Sequence, residues 1–238
     1  GVRRRRRDKR LGQVEKELKD AEQSKDDFMA NVSHEIRTPI NSINGMSEIM
    51  LQNNPDEKTR LKVENIQISC KRLNSLVDDL IDFSDLRTGK YEINVSKYSV
   101  DSLINDIVEF AYVLRKNKDI EIIADCDSTI PCELFGDEAK IKRVVYNIIG
   151  NAAKFTSIGC IAIKIGYRRE FYGINLVITV KDTGIGMDKH NIEKIFSSFN
   201  QADTKRNRQE GGVGLGLPIA RAIIEHMNGP ITVSSEPA

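Results

Sequence analysis

The chain has 238 residues, of which 39% are hydrophobic and 30% are charged, a balance typical of a soluble globular protein with one large domain or two small ones. The 36 Lys and Arg residues against 35 Asp and Glu residues leave a formal net charge of +1, which excludes a chain-wide basic footprint for nucleic acid. The four cysteines form no C-x-x-C pair and no zinc-like spacing with the three histidines, which favours free thiols in a reducing compartment. No apolar run is long enough to cross a bilayer.

The chain opens on a strongly basic segment. Residues 3–10 contain seven basic side chains and one Asp8. Such a run is typical of a solvated tail, but it also occurs on the cytoplasmic side of a membrane helix. Nucleic-acid binding is the weakest of the three interpretations, because no aromatic residues lie between the charges.

Two long amphipathic helices are predicted next. From Leu11 to Val32 apolar residues alternate at steps of three and four, the heptad spacing of a coiled coil, and the apolar face continues to Met50. Asn53-Asn54-Pro55 ends this helix, and a second one with the same spacing is predicted from about Asp56 to Leu86. Each helix covers only one stripe of its partner, so two such hairpins would pair into a homodimeric four-helix bundle.

A histidine with acid–base character lies in the first helix. His34 is followed directly by Glu35, and Thr38 lies one turn later on the same helical face. A neutral imidazole is a nucleophile near neutral pH, and a neighbouring carboxylate can hold that state. Pro39 should weaken the helix here, because proline removes a helical hydrogen bond. An exposed histidine on an amphipathic helix is the alternative interpretation.

After a linker at Thr88-Gly89-Lys90 the pattern changes to short strands mixed with helices. Together they predict an antiparallel or mixed sheet with helices on one face. The turn between the two central strands is placed at the polar segment Tyr167–Glu170. The predicted helices are Asp101–Lys116, Asp137–Phe155 and Leu215–Met227, and the predicted strands are Ile120–Ala124, Cys160–Gly166, Ile174–Val180 and Ile231–Ser234.

The helix ending at Phe155 carries a candidate metal and phosphate face. Asn147, Asn151 and Lys154 recur at helical spacing. Amide oxygens are neutral ligands suited to Mg²⁺ that is already balanced by phosphate charge, and a lysine beside them can meet a phosphate. A plain polar helix face has the same spacing.

Two glycine-rich loops follow. In Asp182-Thr-Gly-Ile-Gly186 the carboxylate could accept hydrogen from an exocyclic amino group, and the glycines would let a flat base approach the backbone. Residues 211–217, Gly-Gly-Val-Gly-Leu-Gly-Leu, put flexible backbone amides at the start of a helix, where its dipole favours anions. Between the loops, Phe196, Phe199 and Gln201 precede a charged run at 205–210, the pattern of a mobile lid.

These motifs carry a family resemblance. His34-Glu-Ile-Arg-Thr-Pro-Ile-Asn41 resembles the phospho-acceptor box of sensor histidine kinases, and the downstream stretches resemble the N, G1, F and G2 boxes of the GHKL ATP-binding fold. The amino-acid sequence of residues 196–203 is most similar to that of hybrid sensor kinases. The resemblance implies an α+β protein: a helical hairpin that forms a dimeric four-helix bundle, followed by an α/β two-layer sandwich of the GHKL (Bergerat) type.

The resemblance also implies roles and domains. His34 would accept the γ-phosphoryl group of ATP, Glu35 would act as the general base, and Thr38 would position water when a phosphorylated receiver is dephosphorylated. The implied domains are a basic juxtamembrane and coiled-coil segment at 1–25, a phosphotransfer domain at 26–90 and an ATP-binding domain at 91–238 that stops before its last strand. The implied ATP and Mg²⁺ ligands are Asn147, Asn151 (both for the metal), Lys154, Asp182, Thr183, Gly184, Gly186, Gly212, Gly214, Leu215, Gly216 and Leu217.

The implied function is that of a two-component kinase core. Its partners would be a second copy of the chain and a response-regulator receiver domain, in the same full-length protein or separate, with no nucleic acid. The protein would be anchored by an upstream transmembrane segment with this part in the cytoplasm. In the second glycine-rich loop, Val213 stands at the position where many members of this kinase family have Thr. Two alternatives stay open: a GHKL-type ATPase with an incidental histidine, and a catalytically degenerate dimeric scaffold.

Overall fold

The structure, a computed structural model, describes residues 32–33, 35–53, 55–115, 118–196 and 214–237, except for the side chains of Arg87 and Glu193. The chain divides into two compact units, with the boundary in the sequence between Tyr91 and Glu92.

The first unit is a helical hairpin. Helix α1 covers residues 35–52, and helix α2 covers Glu57–Thr88. Asp56 begins α2, because its carboxylate accepts a hydrogen bond from the Thr59 amide at 2.6 Å and so satisfies a donor that the first turn leaves open. Hydrogen bonding to the Thr59 side chain, and then to the Thr59 amide, lowers the pKa of Asp56. Gly89 ends the helix, and its amide donates to the Asp85 carbonyl.

The two helices pack along stripes that repeat every seven residues. On the first helix the buried positions include Ile40 and two serines. Polar pairs run beside the stripe: the Arg37 guanidinium donates to Asp78 at 2.6 Å, and the Asn74 amide donates to Asn41 at 3.2 Å. Antiparallel packing is fixed by these contacts together. The buried heptad positions are Ser33, Ile40, Ser47, Val63, Cys70, Val77 and Ser84.

A second apolar stripe lies three residues further along each helix and is not covered within one chain. Ile43 and Met50 on α1 are 48% and 47% exposed, and Ile66 and Leu73 on α2 are 42% and 44% exposed. Leaving such a row in water is unfavourable at about 25 cal/mol per Å² of apolar surface.

The second unit combines helices with two small sheets. Strands β1 and β3 pair antiparallel, whereas β4 lies in the middle of a mixed sheet with β2 parallel on one side and β5 antiparallel on the other. The mixed sheet was one of the predicted arrangements. In chain order the elements are β1 Ser96–Ser99, α3 Val100–Arg115, β2 Asp119–Cys126, β3 Glu133–Gly136, α4 Glu138–Phe155, β4 Ile158–Glu170, β5 Gly173–Asp182, α5 Lys189–Lys194 and α6 Gly216–His226.

The core of this unit lies between one face of the mixed sheet and helices α3 and α4. Alternate residues of each strand point to that face, as the two-residue period of a strand requires. The helices meet them with apolar residues at steps of three and four. The central buried residues are Leu103, Ile107, Ile120, Ile122, Val145, Ile149, Ile161, Ile163 and Ile165.

The strands differ from the prediction in three respects. The segment Tyr167–Glu170 is not a turn but the end of β4, which pairs with β5 as far as Glu170 and Gly173, and the turn lies at Phe171 and Tyr172. Strands β1 and β3 were not predicted. Ile231–Ser234 forms no strand, although the segment is described.

Several predictions fall outside the described residues. They concern the basic segment and coiled-coil seam up to residue 31, His34 itself, Gly212, and the lid between residues 197 and 213. Among the described helices, none combines the length and apolar character needed to cross a membrane.

Candidate nucleotide-binding site

Helix α4 sets the direction of the predicted metal and phosphate face. Asp137 caps its first turn by accepting a hydrogen bond from the Lys140 amide at 3.0 Å, and its second carboxylate oxygen accepts from the Asn94 amide at 2.9 Å. Val145 and Ile149 bury the opposite side of the helix in the core. The rotation of α4 is therefore fixed. Asn147, Asn151 and Lys154 share the remaining, half-buried side.

The C-terminal end of α4 is held by a lysine from outside the helix. The Lys118 ammonium donates to the carbonyl of Ala153 at 2.5 Å and to that of Thr156 at 3.3 Å. A cation at a helix C-terminus satisfies carbonyls that have no helical partner and complements the helix dipole. This contact anchors the turn that leads from α4 to β4.

The start of α6 meets the middle of α4. The Asn147 amide nitrogen donates to the Gly216 carbonyl at 3.3 Å, and a Cβ on Gly216 would lie 3.3 Å from the Asn147 amide oxygen. Leu215, at the N-cap position, makes no side-chain hydrogen bond to the first turn. The first amides of α6 therefore lack a side-chain cap and lie beside Asn147, an arrangement that favours an anion.

The Asp182 loop lies against the other end of α4. The Asp182 carboxylate oxygen Oδ1 accepts from the Gly184 amide at 2.9 Å. A Cβ on Gly184 would lie 2.7 Å from the Phe155 carbonyl oxygen, closer than real Cβ atoms come, so the loop passes α4 at a distance that only glycine permits. Helix α4 thus brings the Asn147 face and the Asp182 loop into one site.

Thr183 has a contact that the sequence did not indicate. Its hydroxyl accepts from the Cys160 amide at 2.9 Å, and its own amide donates to the Cys160 carbonyl at 3.1 Å. These bonds tie the loop to the start of β4. The contact of Thr183 with the adenine base stays a prediction.

Beyond Gly186 the loop contacts the end of the described chain. Gly186 has a φ of 62°, and the next amide, that of Met187, donates to the Ser235 hydroxyl at 2.9 Å. A Cβ on Gly186 would overlap the Glu236 carbonyl oxygen. Ser235 was not among the predicted site residues, since a single serine in a polar segment gives no signal of a contact 48 residues away.

One of the predicted aromatic anchors lies on α6. The Phe196 ring centroid is 5.3 Å from the Arg221 guanidinium carbon, which is within range of a cation–π contact. Arg221 also pairs with Glu225 at 2.7 Å on the same helix. The chain that leaves α5 is thereby attached to the helix whose first turn borders the site.

The donor set fits Mg²⁺ bound together with phosphate. Among the described residues no group of three His, Cys, Asp or Glu side chains could hold a metal ion. Asn147 and Asn151 instead offer amide oxygens one helical turn apart. Mg²⁺ commonly takes one or two protein oxygens and completes its shell with substrate phosphates and water.

In the predicted phospho-acceptor segment, the structure describes the residues on either side of His34 but not His34 itself. Glu35 and Thr38 both lie on α1 and are exposed. The helix continues unbroken through Pro39, so the expected weakening there does not amount to a break and stays a prediction.

Two family models match the chain. Residues 136–238 match the Histidine kinase-, DNA gyrase B-, and HSP90-like ATPase, and residues 24–89 match the His Kinase A (phospho-acceptor) domain. The fold and the family matches thus define an ATP-binding α/β unit of the GHKL class, which follows a helical phospho-acceptor unit in the sequence. The chain belongs to the histidine kinase family.

Curated relatives are hybrid and sensor kinases. The chain is 35% identical to "Hybrid signal transduction protein dokA" of Dictyostelium discoideum over 95% of its own length and 14% of that protein. It is 32% identical to "Sensor histidine kinase GacS" of Pseudomonas protegens over 95% of its own length and 25% of that protein. The chain therefore spans a quarter or less of the relatives named here.

Solved structures agree with this assignment. A full-length ShkA crystal structure in complex with AMPPNP has a TM-score of 0.70 and 29% identity, covering 88% of this chain and 42% of that one. The Acinetobacter baumannii histidine kinase AdeS has a TM-score of 0.57 at 21% identity, covering 86% of this chain and 92% of that one, and shows the shared fold.

Proposed function

We propose that this chain is the kinase core of a two-component system, which phosphorylates His34 from ATP and passes the phosphoryl group to an aspartate of a receiver domain. The observation that carries the proposal is the Asn147–Gly216 hydrogen bond, which joins the amide face of α4 to the first turn of α6. With the Asp182 loop at the other end of α4, this makes one elongated site. A match to the His Kinase A (phospho-acceptor) domain at residues 24–89, upstream of this site in the sequence, supports the proposal.

ATP would lie along α4. The adenine amino group would donate to the second oxygen of Asp182, whose first oxygen is used by the Gly184 amide. The phosphates would face the first turn of α6, where the amides of Gly216 and Leu217 stabilise negative charge. Lys154 would meet a phosphate as a point charge, and Gly212, which lies outside the described residues, would complete the phosphate-binding loop.

Mg²⁺ would be held by the amide oxygen of Asn151, with that of Asn147 beside it. When bound, the ion would neutralise charge on the phosphates. The protein's own contribution is positioning and electrostatic stabilisation, as expected for phosphoryl transfer.

In the transfer step a ring nitrogen of His34 attacks the γ-phosphorus, the bond from that phosphorus to the bridging oxygen breaks, and ADP leaves. Glu35 orients the ring and accepts its proton. A receiver aspartate then takes the phosphoryl group from His34. Thr38, one turn beyond the histidine in sequence, would position water when the phosphorylated receiver is hydrolysed.

The partners follow from the same proposal. The hairpin would dimerise through its uncovered apolar stripe, which gives a four-helix bundle. The receiver would lie in the same full-length protein, as in the hybrid relatives, or in a separate one. The basic segment at residues 3–10 would follow a transmembrane helix, with this part of the protein in the cytoplasm.

The competing functions are distinguished by the fate of the γ-phosphate. A kinase core incorporates about one phosphate per acceptor and then stops, whereas a GHKL-type ATPase keeps releasing free phosphate, and a scaffold does neither. We expect incorporation to exceed release when the chain is mixed with Mg-ATP without a receiver. Release over many turnovers that His34→Gln leaves unchanged would contradict the proposal.

Glu35 and Thr38 should affect different activities, the first histidine phosphorylation and the second dephosphorylation of the receiver. Glu35→Ala should impair the forward step, because proton acceptance is lost. Thr38→Ala should spare phosphorylation of the histidine and slow dephosphorylation of the receiver. Equal loss of both activities in both variants would show that the residues act as one unit.

A further inference from the structure

The segment that follows α6 contacts the Asp182 loop on its far side. The Ser235 hydroxyl accepts from the Met187 amide at 2.9 Å, and the Glu236 carbonyl oxygen lies directly against Gly186. Ser235 is half-buried, whereas its neighbour Ser234 is exposed. The hydrogen bond to Met187 therefore depends on the side chain of Ser235, whereas the contact with Gly186 is made by the backbone of Glu236.

The position of this contact matters for the loop. Near β5 the loop is fixed by Thr183, because its hydroxyl and its amide both form hydrogen bonds with the backbone of Cys160. On the α4 side it is fixed by the close approach of Gly184 to Phe155. Beyond Gly186, which has a φ of 62°, the next amide of the loop donates to the Ser235 hydroxyl.

We infer that Ser235 is a positioning residue of the base-binding loop, residues 182–187: its hydroxyl fixes the Met187 amide and thereby the path of Gly186 relative to Asp182. This inference rests on the proposed ATP-binding function. A glycine at a positive φ has many accessible conformations, so the loop is rigid only when a group outside it holds the following amide. Preorganisation of this kind raises affinity by lowering the cost of ordering the site on binding.

The consequence is a role in base recognition rather than in phosphoryl transfer. Asp182 distinguishes adenine by its amino group only while the carboxylate is held at the right place. Inosine triphosphate carries a carbonyl oxygen there, so it lacks the hydrogen that Asp182 would accept. Loosening the loop should therefore weaken ATP binding more than inosine triphosphate binding.

The test compares Ser235→Ala with Ser235→Thr, which keeps a hydroxyl, and with Ser234→Ala, a matched control on the exposed neighbour. Dissociation constants for ATP and inosine triphosphate are measured by calorimetry, and the rate constant of His34 phosphorylation is measured in single turnover as a function of ATP concentration. Ser235→Ala should raise the Kd for ATP and the half-saturating ATP concentration by about tenfold, as expected for one lost hydrogen bond, and leave the rate constant at saturating ATP unchanged. Ser235→Thr and Ser234→Ala should keep the wild-type values.

The outcomes separate this inference from the proposed function. Wild-type protein that binds neither nucleotide contradicts the proposed function. Wild-type protein that binds ATP, with Ser235→Ala binding it equally well, overturns the inference alone. A Ser235→Ala variant that loses both nucleotides to the same extent with a lower melting temperature also overturns it, because Ser235 is then a stabilising residue only.

Discussion

At the scale of single residues, the candidate nucleotide site contains planar polar groups, each of which has one polar atom in a hydrogen bond within the protein. Asp182 accepts from the Gly184 amide through Oδ1, and Asn147 donates to the Gly216 carbonyl through its amide nitrogen. The remaining oxygen of each group is then aimed by a bond that is already made. Such second contacts fix a side chain before the ligand arrives, which is how a site keeps its geometry.

Asp182→Asn tests the proposed hydrogen bond between Asp182 and the adenine amino group. The amide oxygen of asparagine can still accept from Gly184, so the loop should keep its path, but the amide nitrogen meets the adenine amino group donor to donor. We expect ATP affinity to fall about 10- to 100-fold, the value of a hydrogen bond to a charged group, with little change in melting temperature. Calorimetric titration with ATP checks this. Affinity within twofold of the wild type would place the adenine elsewhere.

Gly184→Ala tests the close approach of the loop to α4. The new Cβ would lie 2.7 Å from the Phe155 carbonyl oxygen, so the loop must move, and we expect about 1–3 kcal/mol lower stability with weakened ATP binding. Gly150→Ala is the matched control, because a Cβ there meets nothing within 4 Å and alanine favours the helix interior by about 1 kcal/mol. Denaturant unfolding should give opposite signs for the two variants. The same sign in both would contradict this account.

Local chemistry made some of these residues predictable and left others hidden. Asp137 was predictable as the cap of α4, because the capping bond joins it to Lys140 three residues away. The bonds of Thr183 to Cys160 and of Ser235 to Met187 join residues 23 and 48 positions apart, and neither pattern nor composition marks such pairs.

At the scale of elements, helices were easier to predict than strands. Helix α4 repeats apolar residues at steps of three and four over 18 residues, and its observed end at Phe155 is the predicted one. Strand β1 has four residues with only Tyr98 buried, too short for any period. The last residues of β4 are mostly polar and exposed, a pattern that predicts a turn. Their hydrogen bonding with β5 is what makes them part of a strand.

Lys118 shows that an element also depends on contacts from outside it. Lys118→Met keeps the length of the side chain but removes its donors to Ala153 and Thr156, so we expect the free energy of unfolding to fall by about 1–2 kcal/mol. Lys164→Met is the control. Its pair with Asp125 is exposed, at 72% and 65%, and should contribute at most about 1 kcal/mol. Equal effects in urea unfolding would mean that the end of α4 does not need its cap.

At the scale of the whole molecule, the hairpin leaves an apolar stripe that a second copy would cover. The stripe includes Ile43 and Met50 on α1 and Ile66 and Leu73 on α2. Sequence periodicity predicted that each helix would bury only one stripe against its partner, and the buried heptads at Ile40 and elsewhere bear that out. Which uncovered residues form the dimer contact is a prediction.

Leu73→Asp should therefore shift the protein from dimer to monomer, because it puts a charge into the stripe. Ile68→Asp is the matched control: Ile68 is 60% exposed, but five residues away it lies about 140° round the helix. Sedimentation velocity should show a monomer for the first variant and a dimer for the second. Dimers in both, or monomers in both, would place the interface on another surface.

The downstream ATP-binding unit should phosphorylate one residue, His34. After incubation with Mg-ATP, the labelled protein should carry phosphate that is labile in acid and stable in base, and peptide mapping should find it on His34 alone. His34→Gln should abolish the label while ATP binding is retained, since the nucleotide site lies in the other unit. Label that survives His34→Gln, or that is found on another residue, would contradict the account.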